Sequence, residues 1–315
     1  MRVLNLWGPR MFIVHRDEGF HLLHVGAWDN ALSLDILEDW VNLVDKDGWV
    51  GREQILGEEA RSRVSISAVV LAPRPDAYPQ VPSEFQTQVP TFANPPTLAM
   101  AVTAFIGRLK ARSPGPTDFD LGMGGESAQV RMSDGARGVS SLRDAHLEEQ
   151  EVARKYLNTI YAPLRRHYEW FRRTQRGHIK RYGRTAHSRT EGYRWRGRSE
   201  THVLTSGMDD YPRAPAHAGE LHLDLISWMG FFSRTMKEIA EFIGEDDDAE
   251  TFARNENAIT HNIDGTPPRP NGITPTLTVF FSTDLHWSEK DQMYCDLGID
   301  QEGQSSSSTP PSSRR

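Results

Sequence analysis

The sequence predicts a mainly α-helical fold. Three observations lead there: apolar residues recur at three- and four-residue spacing in five stretches, strand-like runs are few, and the segments between helices are long and polar. Leu34, Leu37, Trp40, Val41 and Val44 predict an amphipathic helix over 31–45, with Ser33 or Asn30 as its cap. Leu98, Ala101, Val102, Phe105, Ile106 and Leu109 predict a second, opening just after Pro95 and Pro96, where proline suits a helix start. A third covers 145–176, with Val152, Tyr156, Ile160, Leu164, Tyr168 and Phe171 as its stripe. Glu148, Glu149 and Glu151 open it and Arg172, Arg173 and Arg176 close it, which matches charge to the helix dipole. Pro163 is expected to kink it. A fourth spans 218–243 with Leu221, Leu225, Trp228, Phe232, Met236, Ile239 and Phe242 inward, and a fifth spans 246–261. The strand candidates are 64–71 and 276–282. The segment 113–141 reads as a long loop, and the Ser-rich tail as disordered.

Composition narrows the function classes. A chain of 315 residues with 37% hydrophobic and 25% charged residues can bury a sizeable core. The net charge of −7 argues against a chain-wide nucleic-acid role. A single cysteine, Cys295, excludes an intrachain disulfide and carries no catalytic Cys/His motif. No apolar run reaches the roughly 20 residues that span a bilayer. The start of the chain lacks the apolar core of a signal peptide.

Four stretches carry candidate chemistry. SGMDDYPRA at 206–214 sets Asp209 beside Asp210 in a loop, where Gly207 permits a turn that points an acid into a cleft; a solvated turn is the plainer reading. Glu220 and Asp224, at i and i+4, are expected on one helix face close to buried Leu221 and Leu225. Two carboxylates half-facing a core need polar company, which a sugar cleft supplies and a wet helix edge supplies equally. His222 and Asp224 at i and i+2 would point apart on a helix, which argues against a metal site. The run GWVGREQILGEEARSR at 48–63 offers Arg52 and Glu53 as an ion pair, as groups that grip hydroxyls, or as a salt-bridged surface. Finally, 165–198 holds twelve Lys or Arg and two acids, interleaved with Tyr168, Trp170, Phe171, Tyr182, Tyr193 and Trp195. That pattern suits a nucleic-acid binder whose affinity falls steeply with salt, a saccharide binder, or a plain solvated loop.

Together the strings DEGFHLL (17–23), WVGREQILGEEARSR (49–63), FANPPTL (92–98), YRWRGR (193–198), SGMDDYPRA, ELHLDLISW (220–228) and DLHWSEKDQMYCD (284–296) resemble the processing α-glucosidases I of glycoside hydrolase family 63, in that family's order. The resemblance implies a partial (α/α)6 toroid barrel over 1–300, followed by a disordered tail at 301–315. It implies an inverting exo-α-glucosidase that removes the terminal α-1,2-linked glucose from glucosylated high-mannose N-glycan on nascent glycoprotein, on the lumenal side of the endoplasmic reticulum. Inverting hydrolysis uses an acid for the leaving oxygen and a base that activates water, about 6.5–9.5 Å apart. By motif, Asp209 matches the general acid, and Glu220 and Asp224 match supporting carboxylates. Asp17, Glu18, His21, Arg52, Glu53, Tyr193, Trp195, Arg196, Asp210 and Trp287 are expected to line the sugar pocket. No metal or organic cofactor is implied, nor a nucleic-acid partner. Membrane contact is implied only through an anchor outside this sequence.

The chain departs from the family pattern in three ways. The family's N-terminal β-sandwich and anchor are not seen, and Arg16 stands where the family has Trp. The stretches 65–81 and 265–283 split family motifs and read as insertions, of the kind a mis-spliced transcript leaves. The family's general base belongs to a late acidic motif, and nothing after Asp300 matches it. A non-catalytic glycan-binding remnant is therefore the alternative to an enzyme competent in these residues alone.

Overall fold

The computed structural model describes residues 12–55, 89–112, 144–200, 202–208, 211, 213, 215–264, 285–288, 290–300, 303 and 305–308. In chain order its elements begin with a short strand β1 (Phe12–Val14), then helices α1 (His15–Trp28) and α2 (Asn30–Val41), and strand β2 (Glu53–Ile55). Helices α3 (Leu98–Arg112), α4 (Ala145–Glu148), α5 (Gln150–Thr174), α6 (Leu223–Ile243) and α7 (Asp246–Asp264) follow. Strands β3 (Trp287–Ser288), β4 (Met293–Tyr294), β5 (Asp296–Ile299) and β6 (Ser305–Ser308) close the list. The strands form three two-stranded antiparallel pairs, β1–β2, β3–β4 and β5–β6. The described chain is thus mainly helical, as the apolar periodicity predicts. None of its helices is long and apolar enough to cross a membrane.

The predicted stripes are the buried faces. Leu34, Leu37, Trp40 and Val41 of α2, Leu98, Val102, Phe105 and Ile106 of α3, and Tyr156, Ile160, Leu164, Tyr168 and Phe171 of α5 join one core with Leu225, Phe232, Met236 and Ile239 of α6. At its centre, Phe232 meets Tyr168 edge-on at 5.3 Å, and Phe252 of α7 meets the other side of the cluster through Tyr168 at 5.2 Å. The Tyr168 hydroxyl is not stranded there: it shares a hydrogen bond of 2.8 Å with Ser233 and accepts one from Asn255 at 3.1 Å. A smaller core of Ile179, Leu221, Leu285 and Leu297 lies beneath β5.

Several boundaries differ from expectation. The cap of α2 is Asp29, whose carboxylate accepts from Leu32 N–H at 3.0 Å. Asn30 instead holds Arg108, and Ser33 donates to the Leu22 carbonyl. The helix expected over 145–176 is broken at Glu149, which is extended, and then continues through Pro163 to Thr174. The fourth helix starts at Leu223, not 218, because Leu221 pairs its backbone with Leu297 of β5 and must stay extended to do so. Helix α1 has no counterpart among the predicted helices. Its apolar residues mark no single face: Leu22 is buried while Phe20 and Trp28 are exposed. Inside the tail expected to be disordered, Ser305–Ser308 pairs with Asp296–Ile299. The free edge of β5 supplies main-chain partners that composition does not reveal. The strand candidates 64–71 and 276–282, the loop 113–141 and the insertions lie outside the described residues.

The packing makes one stability prediction. Phe232→Ala, which empties the centre of the α5–α6 contact, is expected to cost about 3–5 kcal/mol. Chemical denaturation measures it, and a loss below about 1 kcal/mol would mean the site collapses freely or is not packed this way.

Candidate active site

Four of the motif-bearing segments, YRWRGR, SGMDDYPRA, ELHLDLISW and DLHWSEKDQMYCD, meet around the N-terminus of α6. Asp224, in its first turn, accepts from Trp195 Nε1–H at 3.0 Å and from Arg213 Nη2 at 2.9 Å. Arg213 extends its other nitrogen, Nη1, to Asp296 of β5. Asp296 in turn accepts from the backbone N–H of Leu223 at 2.8 Å, satisfying one of the donors that a helix start leaves open. Only 3% of the Arg213 side chain reaches solvent. Its guanidinium also lies over the Tyr211 ring at 4.8 Å and reaches Ser206 Oγ at 3.4 Å. The loop between is held at its start too. Ser206 Oγ donates to the Val203 carbonyl and accepts from Met208 N–H, and Gly207 takes a φ of +78° that disfavours a side chain.

A second cluster surrounds Glu220. Its carboxylate, 5% exposed, faces Arg198 at 3.2 Å and Arg194 at 3.5 Å, and accepts from His217 N–H at 3.2 Å. Trp195 N–H donates to His222 Nδ1, so His222 turns its Nε2 toward Glu220, 3.5 Å away. Burial pushes the Glu220 carboxyl up, but His222, Arg198 and the His217 amide outweigh it and hold it below the ordinary carboxylate range. Glu220 and Asp224 are therefore not stacked on one helix face. Glu220 precedes the helix, and the two are joined through Trp195 and His222.

The remaining predicted residues fall into three groups. Asp17 and Glu18 are half-buried in the first turn of α1, with exposed His21 at 3.6 Å from Glu18. Burial raises the Glu18 carboxyl, partly offset by His21. Gly19 lets α1 touch Thr97 of the FANPPTL segment, where a Cβ would meet the backbone at 2.4 Å. The β1–β2 ladder sets Val14 opposite Glu53, so Arg52 and Glu53 neighbour the start of α1; the Glu53 side chain lies outside the described residues. Arg196 donates to the carbonyls of Thr174 and Arg176, and Trp287 is half-buried, edge-on to Tyr294 at 5.0 Å.

Tyr193 and Trp195 require a correction. Both are fully buried, with the Tyr193 hydroxyl on Glu191 and the Trp195 indole on Asp224, so they pack and anchor rather than offer a ring face to a sugar. The same holds for much of the basic stretch. Tyr168, Trp170 and Phe171 are core, Arg172 pairs with Glu191, and Arg184 donates to the carbonyls of Gly219 and Gly298. Those rings have no free face on which nucleic-acid bases could stack. Asp209 and Asp210 lie outside the described residues, between Met208 and Arg213, which do not.

Asp296, Gln175 and His286 are the residues that sequence reasoning left without a role in the site, and Arg213, which it placed only at the charged exit of the loop, proves to be the link between Asp224 and Asp296. Gln175 is fully buried and links Thr91 to Arg196 N–H, which joins the FANPPTL and YRWRGR segments. His286 shares a hydrogen bond with the Cys295 carbonyl at 2.8 Å. Asp296 and His286 carried a signal as members of DLHWSEKDQMYCD, and Gln175, outside every quoted string, carried none. Among the described residues no group of three or more His, Cys, Asp or Glu is placed to hold a metal ion.

Comparison with known proteins gives a consistent result. Residues 7–314 match the glycosyl hydrolase family 63 C-terminal domain, a span that includes the insertions and most of the tail. The chain is 43% identical over 294 residues to the probable mannosyl-oligosaccharide glucosidase of Schizosaccharomyces pombe, covering 93% of this chain and 31% of that protein. It is 34% identical over 304 residues to the mannosyl-oligosaccharide glucosidase of Saccharomyces cerevisiae, with the same 93% and 31% coverage. It is 33% identical over 248 residues to the mannosyl-oligosaccharide glucosidase GCS1 of Arabidopsis thaliana, covering 76% of this chain and 22% of that protein. The chain therefore spans less than a third of the length of these relatives.

Two outcomes follow from the buried charges. Glu220→Ala leaves Arg198 and Arg194 facing each other without their anion, and is expected to cost about 3–5 kcal/mol by denaturant titration. A neutral result would mean water reaches the cluster. Burial pushes the imidazoles of His167 and His286 down to about 4, below their ordinary 6.5. Between those values the unfolded chain binds more protons, so stability rises with pH there and is lost on acidification from about 6.5 to 4. Glu220, depressed in the folded state, removes more as pH falls below its ordinary 4.5. Thermal melting across pH 7 to 4 reads this window; a flat melting temperature would contradict the burial of the two imidazoles.

Proposed function

Because the chain belongs to glycosyl hydrolase family 63, we propose that it forms part of the catalytic domain of an inverting α-glucosidase acting in N-glycan processing. The substrate is the terminal α-1,2-linked glucose of glucosylated high-mannose N-glycan on nascent glycoprotein, and the setting is the lumenal face of the endoplasmic reticulum, with any membrane tether supplied by an anchor outside these residues. The helices belong to a partial (α/α)6 toroid over 1–300, with 65–81 and 265–283 as insertions. The relatives' names, which specify mannosyl-oligosaccharide glucosidases, support the substrate class.

One observation carries the site assignment: the described residues on either side of Asp209 are fastened to buried groups, Ser206 to the Val203 carbonyl and Arg213 to Asp224 and Asp296. A general acid must be held within hydrogen-bond reach of the leaving oxygen, and anchored flanks suit that task. Asp209 is the acid in this reading. Glu220 and Asp224 are supporting carboxylates: each faces a buried guanidinium, and Glu220, held below the ordinary carboxylate range, is poorly suited to donate a proton. Asp17, Glu18, His21, Arg52, Glu53, Arg196, Asp210 and Trp287 serve as the surrounding polar and aromatic lining. Trp287, half-buried beside Tyr294, keeps a partial exposure that Tyr193 and Trp195 lack.

The test is titration of the folded chain with triglucosylated high-mannose oligosaccharide and with its deglucosylated counterpart, alongside a glucose-release assay. The glucosylated form is expected to bind at least about 10-fold more tightly, because the site's polar groups are left unpaired without the terminal sugar. Any glucose released is expected to fall about 10²- to 10⁴-fold in Asp209→Asn and to appear first as the β-anomer. Equal affinity for both oligosaccharides, with no release, would sink the reading.

A further inference from the structure

We propose that Asp296 and Arg213 are positioning residues that set the loop of Asp209, making the β3–β5 segment a strut of the candidate active site; this rests on the glucosidase reading above. Three features carry it. First, the pair is remote in sequence and buried in space: Asp296 is 8% exposed and the Arg213 side chain 3%. Second, each end is fixed by something else. Asp296 uses its Oδ1 to accept from Leu223 N–H at the start of α6 and its Oδ2 to hold Arg213. β5 itself is tied to the chain just before α6 through the Leu221–Leu297 pairing, with both N–H···O bonds formed at 3.0 and 2.9 Å. Third, Arg213 spans the gap as a fork, with Nη1 on Asp296 and Nη2 on Asp224 and Ser206. Lysine carries one point charge on a flexible stem and cannot reproduce that geometry.

The arrangement separates two jobs. Asp224 holds one side of the guanidinium from within α6. Asp296 holds the other from β5, which is itself tied back to the start of α6, so the loop's exit is gripped at two points rather than swinging about one. The Tyr211 ring lies under the guanidinium, which extends the restraint back toward Met208, whose carbonyl accepts from Tyr211 N–H at 3.2 Å. Loss of Asp296 is therefore expected to free the loop while leaving α5 and α6 packed on each other.

Hydrogen exchange of the intact chain, read by mass spectrometry on peptides spanning 206–213, tests this directly. In Asp296→Asn and in Arg213→Lys those peptides are expected to exchange at least about 10-fold faster than in the wild type, with peptides of α5 unchanged. Asp296→Glu, which keeps the anion, is expected to restore protection in part, and affinity for the glucosylated oligosaccharide should follow the same order. Unchanged exchange at 206–213 in Asp296→Asn overturns the proposal, as does a rise shared equally with α5, which marks general destabilisation. Wild-type chain that shows the protected loop yet binds no glycan would overturn the glucosidase reading while leaving the strut in place.

Discussion

A guanidinium withdrawn from water is costly unless carboxylates meet it with good geometry, and Arg213 is met by two, Asp224 and Asp296. The rest of the site depends on that constraint. Asp224 belongs to the first turn of α6, Asp296 to β5, Arg213 to the loop after Gly207, and Trp195, which donates to Asp224, to the segment after α5. Four stretches of the chain are thus located by one charge balance. Because breaking such a pair leaves an uncompensated buried charge, the segments are coupled: none can shift without exposing or stranding the others' polar groups.

The same logic organises the neighbouring cluster. Glu220 is enclosed by Arg198, Arg194 and His222, and His222 is oriented by the backbone of Trp195. Trp195 therefore touches both clusters, through its main chain on one side and its indole on the other. Its burial, which removes it as a stacking platform for sugar, is what makes it the hinge pin between them.

How much of this was legible beforehand depends on distance along the chain. The stripes of α2, α3, α5 and α6 were readable because burial repeats every three to four residues. Helix α1 was not, since Leu22 faces the core while Phe20 and Trp28 do not. The strands run two to four residues, too short to leave an alternation. The start of α6 was misplaced because its neighbour Leu221 answers to Leu297, a partner far down the chain. In the site, motif spelling pointed to Glu220, Asp224 and the loop at 206–214, yet it assigned Glu220 and Asp224 to one helix face. Which cation each acid meets is a tertiary fact: Arg213 and Asp296 are 83 positions apart. Tyr193 and Trp195 show the limit from the other side, since aromatic residues in a basic run look alike whether they are surface platforms or core.

The central claim is that the loop of Asp209, clamped by Arg213, forms the wall of a glucose-binding cleft. A crystal structure of the chain soaked with a glucose-configured iminosugar tests it most directly, since the cationic ring nitrogen mimics charge that develops in glycoside cleavage. The account predicts the ligand against the 206–213 loop, with Asp209 in hydrogen-bond reach and Arg213 still joined to Asp224 and Asp296. A ligand bound away from that loop, or an Arg213 side chain turned out to solvent beside a bound ligand, would contradict it.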